Sequence, residues 1–150
     1  MQAALEACGN QCVSHVVQIL TADAYQHSVS WYARTGALKK FTHELHMDEN
    51  AVYVGSDLTY APYWEYGTGE YGGGRPGYWV FVPGGGGGPG GGKIYTQEQA
   101  KQIMAILQSK GIDAHMTRGI KPVHMLQRSV EDYADEYKAI MEQYLSSGMK

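Results

Sequence analysis

The chain has 150 residues, 43% apolar and only 18% charged, with a formal net charge of −3. That length suits one domain with a core that needs neither disulfides nor metal. The basic residues are scattered, Lys39-Lys40 and Arg118 to Lys121 coming closest to a patch, which argues against tight nucleic-acid binding. No stretch reaches the roughly 18 apolar residues that span a bilayer, and no basic region followed by an apolar run opens the chain, so it is expected to be made in the cytoplasm. Twelve tyrosines and three tryptophans beside so little charge fit an interface-rich surface.

Leu5, Cys8, Cys12, Val16, Ile19 and Leu20 recur at helical spacing and predict an amphipathic helix over residues 3–24. Cys8 and Cys12 share its apolar face. A zinc or redox site would want a two-residue gap and further ligands nearby, so they read as buried thiols acting as small hydrophobes. Phe41, His43, Leu45 and Met47 alternate with Thr42, Glu44 and His46, the period of a half-buried strand, and the run from Ala51 to Ser56 supplies its hairpin partner. In "DLTYAPYWEYGTG" Pro62 sets a turn or short helix that Gly67 and Gly69 end, predicting a compact aromatic corner packed by its tyrosines, with Trp64 and Tyr66 buried in it.

Residues 78–82, "YWVFV", read as a strand. Fourteen of the twenty glycines lie between Gly67 and Gly92, and the run at 83–92 reads as a flexible connector with a random-coil reach of about 15–20 Å. Thr96 and Gln99 form a capping-box signature for a helix carrying Ala100, Ile103, Met104 and Leu107, which Gly111 should stop. Ile112, Ala114 and Met116 then alternate as a short strand, so 78–117 forms a strand-helix-strand unit, with a right-handed crossover if its strands are parallel. Leu126, Val130, Tyr133, Tyr137, Ile140 and Tyr144 trace one long helix ending near Gly148. The expected fold is α+β, a single domain over 1–150: N- and C-terminal helices packed on an antiparallel sheet, with the strand-helix-strand insert and its glycine-rich loop.

The motifs that suggest catalysis fail on spacing. Gly87 to Lys93 fits part of a phosphate-binding loop, but Ile94 stands where a magnesium-binding hydroxyl is needed, and the helix begins too late for its N-terminus to meet a phosphate. His43-Glu44-Leu45-His46 lacks the i, i+4 histidines of a zinc protease, and on a strand the two rings are expected to point to opposite faces. Ser28, Ser30 and Ser56 have no nucleophile-elbow context. Glu131, Asp132, Asp135, Glu136 and Glu142 lie opposite the apolar stripe of the last helix, either as a solvated face or as an acidic wall that repels DNA. No catalytic residue, cofactor or metal site is expected.

Three motifs stand in a fixed order: "RTGALKKFTHEL" at 34–45, "AVYVGSDLTYAPYWEYGTG" at 51–69 and "GIKPVHMLQRSVEDYADEY" at 119–137. Together they resemble the head-tail joining proteins of tailed bacteriophages, also called neck or tail-completion proteins, over nearly the whole chain. The family's Thr-Gly-x-Leu turn is matched by Thr35, Gly36 and Leu38. Its Tyr-Ala-x-Tyr-x-Glu-aromatic-Gly-Thr-Gly segment is matched by Tyr60, Ala61, Tyr63, Glu65, Tyr66, Gly67, Thr68 and Gly69, with Trp64 inside it. Its Pro-x-x-aromatic-Leu approach to the last helix is matched by Pro122 and Leu126, with Met125 at the aromatic position, and Arg34 stands where the family commonly has an acid. The segment after the glycine run resembles the variant of the family found in phages of Gram-positive hosts.

The resemblance implies a structural, non-enzymatic virion protein assembled in the bacterial cytoplasm. Copies would form a ring in the neck between portal and tail, meeting a head-completion or connector protein on one side and a tail terminator or tail-tube protein on the other. DNA would pass through the channel without sequence-specific binding, and no membrane would be involved. Two rival readings come from other classes: a surface- or carbohydrate-binding module built on the aromatic, glycine-rich segment, and a nucleotide-dependent enzyme built on Lys93.

Overall fold

The computed structural model describes residues 1–26, 36–40, 42–84 and 92–148. Thr35, Phe41 and most of the glycine run (85–91) lie outside the described residues. The chain is α+β and divides into two compact units, one formed by residues 1–61 and 123–150, the other by residues 62–122. No helix among the described residues is long and apolar enough to cross a membrane.

In the first unit, α1 (Gln2–Ile19) runs on into a π-helical turn over Leu20–Tyr25. Of its expected stripe Leu5, Cys8, Val16, Ile19 and Leu20 are buried, each large apolar side chain so removed from water contributing about 1.5–3 kcal/mol, while Cys12, expected as a buried thiol, is only half-buried. The short α2 (Ala37–Lys40) adds Leu38 to the core. α1 packs on an antiparallel hairpin of β1 (Thr42–Met47) and β2 (Val52–Ser56) and on the C-terminal helices α5 (Met125–Glu131) and α6 (Ala134–Ser147).

The hairpin corrects one expectation. β1 carries one extra residue between Glu44 and His46, so His43 pairs with Gly55 and His46 with Tyr53. Partners across an antiparallel pair share a face, so the bulge brings His43 and His46 to the same side of the sheet instead of opposite sides. Glu44 and Val52 face α1, where both lie against Gly9. Both histidines are exposed.

The hairpin turn is held by Asp48, whose Oδ1 accepts from the Asn50 and Ala51 backbone N–H groups at 2.8 Å each. These bonds hold its carboxyl below the ordinary 3.8. A depressed folded value means that the carboxylate's support for the turn is complete above the unfolded value and is lost as pH falls through the folded one. The expected result is a fall in melting temperature below about pH 4 that is smaller in Asp48→Ala than in the parent, measured by thermal melts across the acid range.

The last helix is not continuous. α5 ends at Glu131 and α6 begins at Ala134, where one periodic stripe predicted a single helix. In an unbroken helix the Ser129 carbonyl would accept from the Tyr133 N–H; it receives the Tyr137 hydroxyl at 2.6 Å. Breaking there lets Tyr133 stack on the His15 ring, centroids 3.5 Å apart. Part of the expected stripe is outward-facing, since Val130 and Tyr144 are exposed. α5 itself begins after His124, a non-glycine residue held at φ 53° with its Nδ1 buried and without a hydrogen-bond partner among the described residues.

The second unit begins at the boundary residue Pro62 within α3 (Ala61–Tyr66), so it takes in the aromatic corner as well as residues 78–117. β3 (Trp79–Phe81) and β4 (His115–Thr117) form their own two-stranded sheet, and they are antiparallel, so the condition for a right-handed parallel crossover is not met. Between them lies α4 (Gln97–Ser109), with both bonds of the capping box present: the Gln99 N–H donates to Thr96 Oγ1 at 3.3 Å and the Thr96 N–H to Gln99 Oε1 at 3.1 Å. Its C-terminus closes as expected, the Gly111 N–H bonding to the Gln108 carbonyl and the Ile112 N–H to that of Leu107. The bridge from Tyr78 to Tyr95 brings the chain back beside β3 after the glycine run.

Candidate functional site

The Gly-Thr-Gly end of the central motif is built against a segment about fifty residues further along. The Thr68 N–H donates to the Ile120 carbonyl at 2.9 Å, the Ile120 N–H to Thr68 Oγ1 at 2.9 Å, and the Glu70 N–H to the Arg118 carbonyl at 3.1 Å. Two backbones this close leave no room for side chains. A Cβ on Gly69 would lie 2.4 Å from the Arg118 carbonyl oxygen, and one on Gly119 only 2.0 Å from that of Thr68. Both glycines also hold positive φ, 61° and 126°. Pro122 backs Gly67 from the same segment. Arg118 then closes the strap through a bidentate pair with Glu70, which raises the guanidinium pKa further by hydrogen bonding, and its guanidinium carbon lies 5.6 Å from the Tyr78 ring centroid.

With the glycines accounted for as structure, the tyrosines are what the motif offers to solvent. Tyr66 is 71% exposed and Tyr63 48% exposed, three residues apart on one side of α3. This corrects the expectation of a buried Tyr66: the corner is packed by Trp79, which is 3% exposed with its ring edge against Gly69, while Glu65 is buried and Trp64 half-buried. Tyr71 is also exposed and carries Lys121 over its face at 5.6 Å. Tyr60 is half-buried and Ala61 buried at the end of the first unit, Gly36 leads into α2, and Leu38 is core.

Leu126 belongs to a different feature. With Cys8, Cys12, Val52, Val54 and Val130 it lines an open apolar groove of about 180 Å³ in the first unit. Polar groups at its floor are fully engaged. Ser129 Oγ donates to the Leu126 carbonyl at 2.7 Å, so the Cys12 thiol, 3.4 Å away, donates to Ser129 Oγ. The Tyr137 hydroxyl gives its proton to the Ser129 carbonyl, so His15 Nδ1, 2.9 Å away, must be the donor between those two. His15 Nε2 then faces Gln11 and Glu136, at 3.2 and 3.3 Å. Burial raises the pKa of the Cys8 thiol, and burial followed by the Cys12 thiol raises that of Tyr137, so neither is an activated nucleophile.

Removing the Tyr137 hydroxyl would leave the buried Ser129 carbonyl and the His15 N–H without partners. Tyr137→Phe is expected to cost about 1–3 kcal/mol, read as a lower denaturant midpoint with unchanged slope.

Sequence reasoning named the Gly67-Thr68-Gly69 and Pro122 ends of the strap but missed Arg118, Glu70 and Gly119. It also missed His15, Ser129 and Tyr137 as one network, although Tyr137 falls on the predicted stripe. Lys93 stands over the Tyr95 ring at 5.8 Å, and α4 begins at Gln97 behind its Thr96 cap. Among the described residues no three His, Cys, Asp or Glu side chains are placed to hold a metal ion. No protein-family model, curated protein or solved structure matches the chain.

Proposed function

We propose that the chain is a non-catalytic assembly subunit: a head-tail joining protein whose copies form a ring in the neck of a tailed phage, between portal and tail. The observation that carries this reading is the exposed Tyr63–Tyr66 pair on the motif segment, held on a backbone strap with no room for a ligand between its two halves. Rigid amphipathic rings give large contact area at low side-chain entropy cost, as assembly surfaces require. The low charge and twelve tyrosines support the same reading.

The test is to purify the protein with the products of the genes flanking its own and to measure the mass and shape of the complexes by light scattering and electron microscopy. A ring that stacks on a neighbour's product is the expected result. A monomer that ignores its neighbours and binds cell-wall glycan through Tyr63 and Tyr66 would overturn it in favour of a carbohydrate-binding module.

A further inference from the structure

The two units carry opposite charge. Residues 1–61 and 123–150 hold eleven acidic against six basic residues, a formal charge of −5, while residues 62–122 hold four acidic against six basic, a charge of +2. In the second unit Glu70 is engaged by Arg118 and Asp113 by His115, and Glu65 is buried, whereas Arg75, Lys101 and Lys110 have no ion-pair partner among the described residues. In the first unit Val130, 56% exposed, lines the groove, and three exposed acids stand within the next five residues: Glu131, Asp135 and Asp132, the last paired with Arg128 at 3.5 Å.

We infer that this groove receives the tyrosine-bearing, basic surface of the 62–122 unit of a second copy, head to tail. The inference rests on the ring reading above and names the two surfaces that would meet. Size supports it, because an apolar cavity of about 150 Å³ is enough to admit a benzene ring, and the groove offers about 180 Å³ bounded by thiols, valines and a leucine. Tyr66 is the most exposed large apolar-bodied residue of the described chain. Its backbone carbonyl lies beside Gly72, next to Tyr71 with Lys121 over its ring, so ring and cation come from neighbouring segments. A contact between two different patches repeats from copy to copy and closes into a ring when its rotation allows, whereas a like-with-like contact stops at a dimer.

Two reversed variants test this: Glu131→Lys with Asp135→Lys, and Arg75→Glu with Lys121→Glu. All four positions are exposed, so both proteins should melt like the parent. Light scattering over a concentration series should show each variant associating with itself about tenfold more weakly or worse, since like charges then face each other. An equimolar mixture should regain parental association, because each reversed surface meets its complement on the other variant. Attraction between units of one chain cannot produce that rescue. Alkylation of Cys12 by iodoacetamide should be slower in the parental assembly than in either variant alone, and Tyr66→Ala should weaken association without rescue by either variant.

Undiminished association of the reversed variants, or a mixture that stays apart, overturns the inference. So does a parent that stays monomeric while Arg75→Glu with Lys121→Glu abolishes binding to a single-stranded oligonucleotide, which would give the basic surface to nucleic acid. Reversed variants that still form rings stacked with the neighbouring gene products would sink this interface and leave the ring reading standing. Charge rescue without such stacking would keep the interface and sink the ring reading.

Discussion

Replacing Gly119 by alanine is expected to destabilise the 62–122 unit by about 3–5 kcal/mol, lowering the melting temperature by roughly 10 °C or more. Two costs combine. At φ 126° an alanine is strained wherever it sits, and its Cβ would stand 2.0 Å from the Thr68 carbonyl oxygen, a backbone atom that no rotamer change can move. Relief requires the 67–70 and 118–120 segments to part, giving up the paired bonds between Thr68 and Ile120. Gly73→Ala is the control: it also has positive φ, 76°, but nothing lies within 4 Å of the new Cβ, so only a conformational cost of about 1 kcal/mol is expected. Chemical denaturation of the two variants side by side separates clash from strain, and equal midpoints would show that the strap is not paired as described.

Trp79→Ala is expected to cost about 3–5 kcal/mol, the range for removing a buried large aromatic. Trp79 lies on β3, paired with Thr117 of β4, and its ring edge fills the space that Gly69 leaves beside the strap. One side chain therefore ties the small sheet to the motif. Trp79→Phe keeps part of that contact and should fall between parent and alanine variant in urea midpoint. An alanine variant that unfolds with the parent would place the core of this unit elsewhere.

What was legible in the sequence was local. The capping box of α4 and its stop at Gly111 involve residues within a few positions of one another, and both bonds of the box are present. The stripe of α1 was equally plain, because one face of that helix is almost wholly covered. The hairpin was found but not its bulge, since Phe41 to Met47 alternates without interruption in sequence and nothing local marks the extra residue that turns His46 to the side of His43.

Longer-range choices were not legible. The Ser129 carbonyl can serve a continuing helix or the Tyr137 hydroxyl, and a 3.6-residue period looks the same in either case. The strand-helix-strand order of 78–117 suits parallel or antiparallel pairing, and the chain chose antiparallel. Of the candidate site, the resemblance drew attention to Gly67, Thr68 and Gly69. Their physical reason, the approach of Arg118 to Ile120, lies about fifty residues away, and Tyr66 was assigned to the core because aromatic clusters usually pack inward.

The central claim is that the motif divides its labour, the glycines holding the strap together and the tyrosines meeting another protein. The double variant Tyr63→Ala with Tyr66→Ala tests it most directly when melting temperature and assembly mass, alone and with the neighbouring gene products, are measured on one preparation. The account predicts a melting temperature within a few degrees of the parent, because the two rings are 48% and 71% exposed, together with loss of the multi-copy complex. A variant that assembles to the parental mass would contradict it.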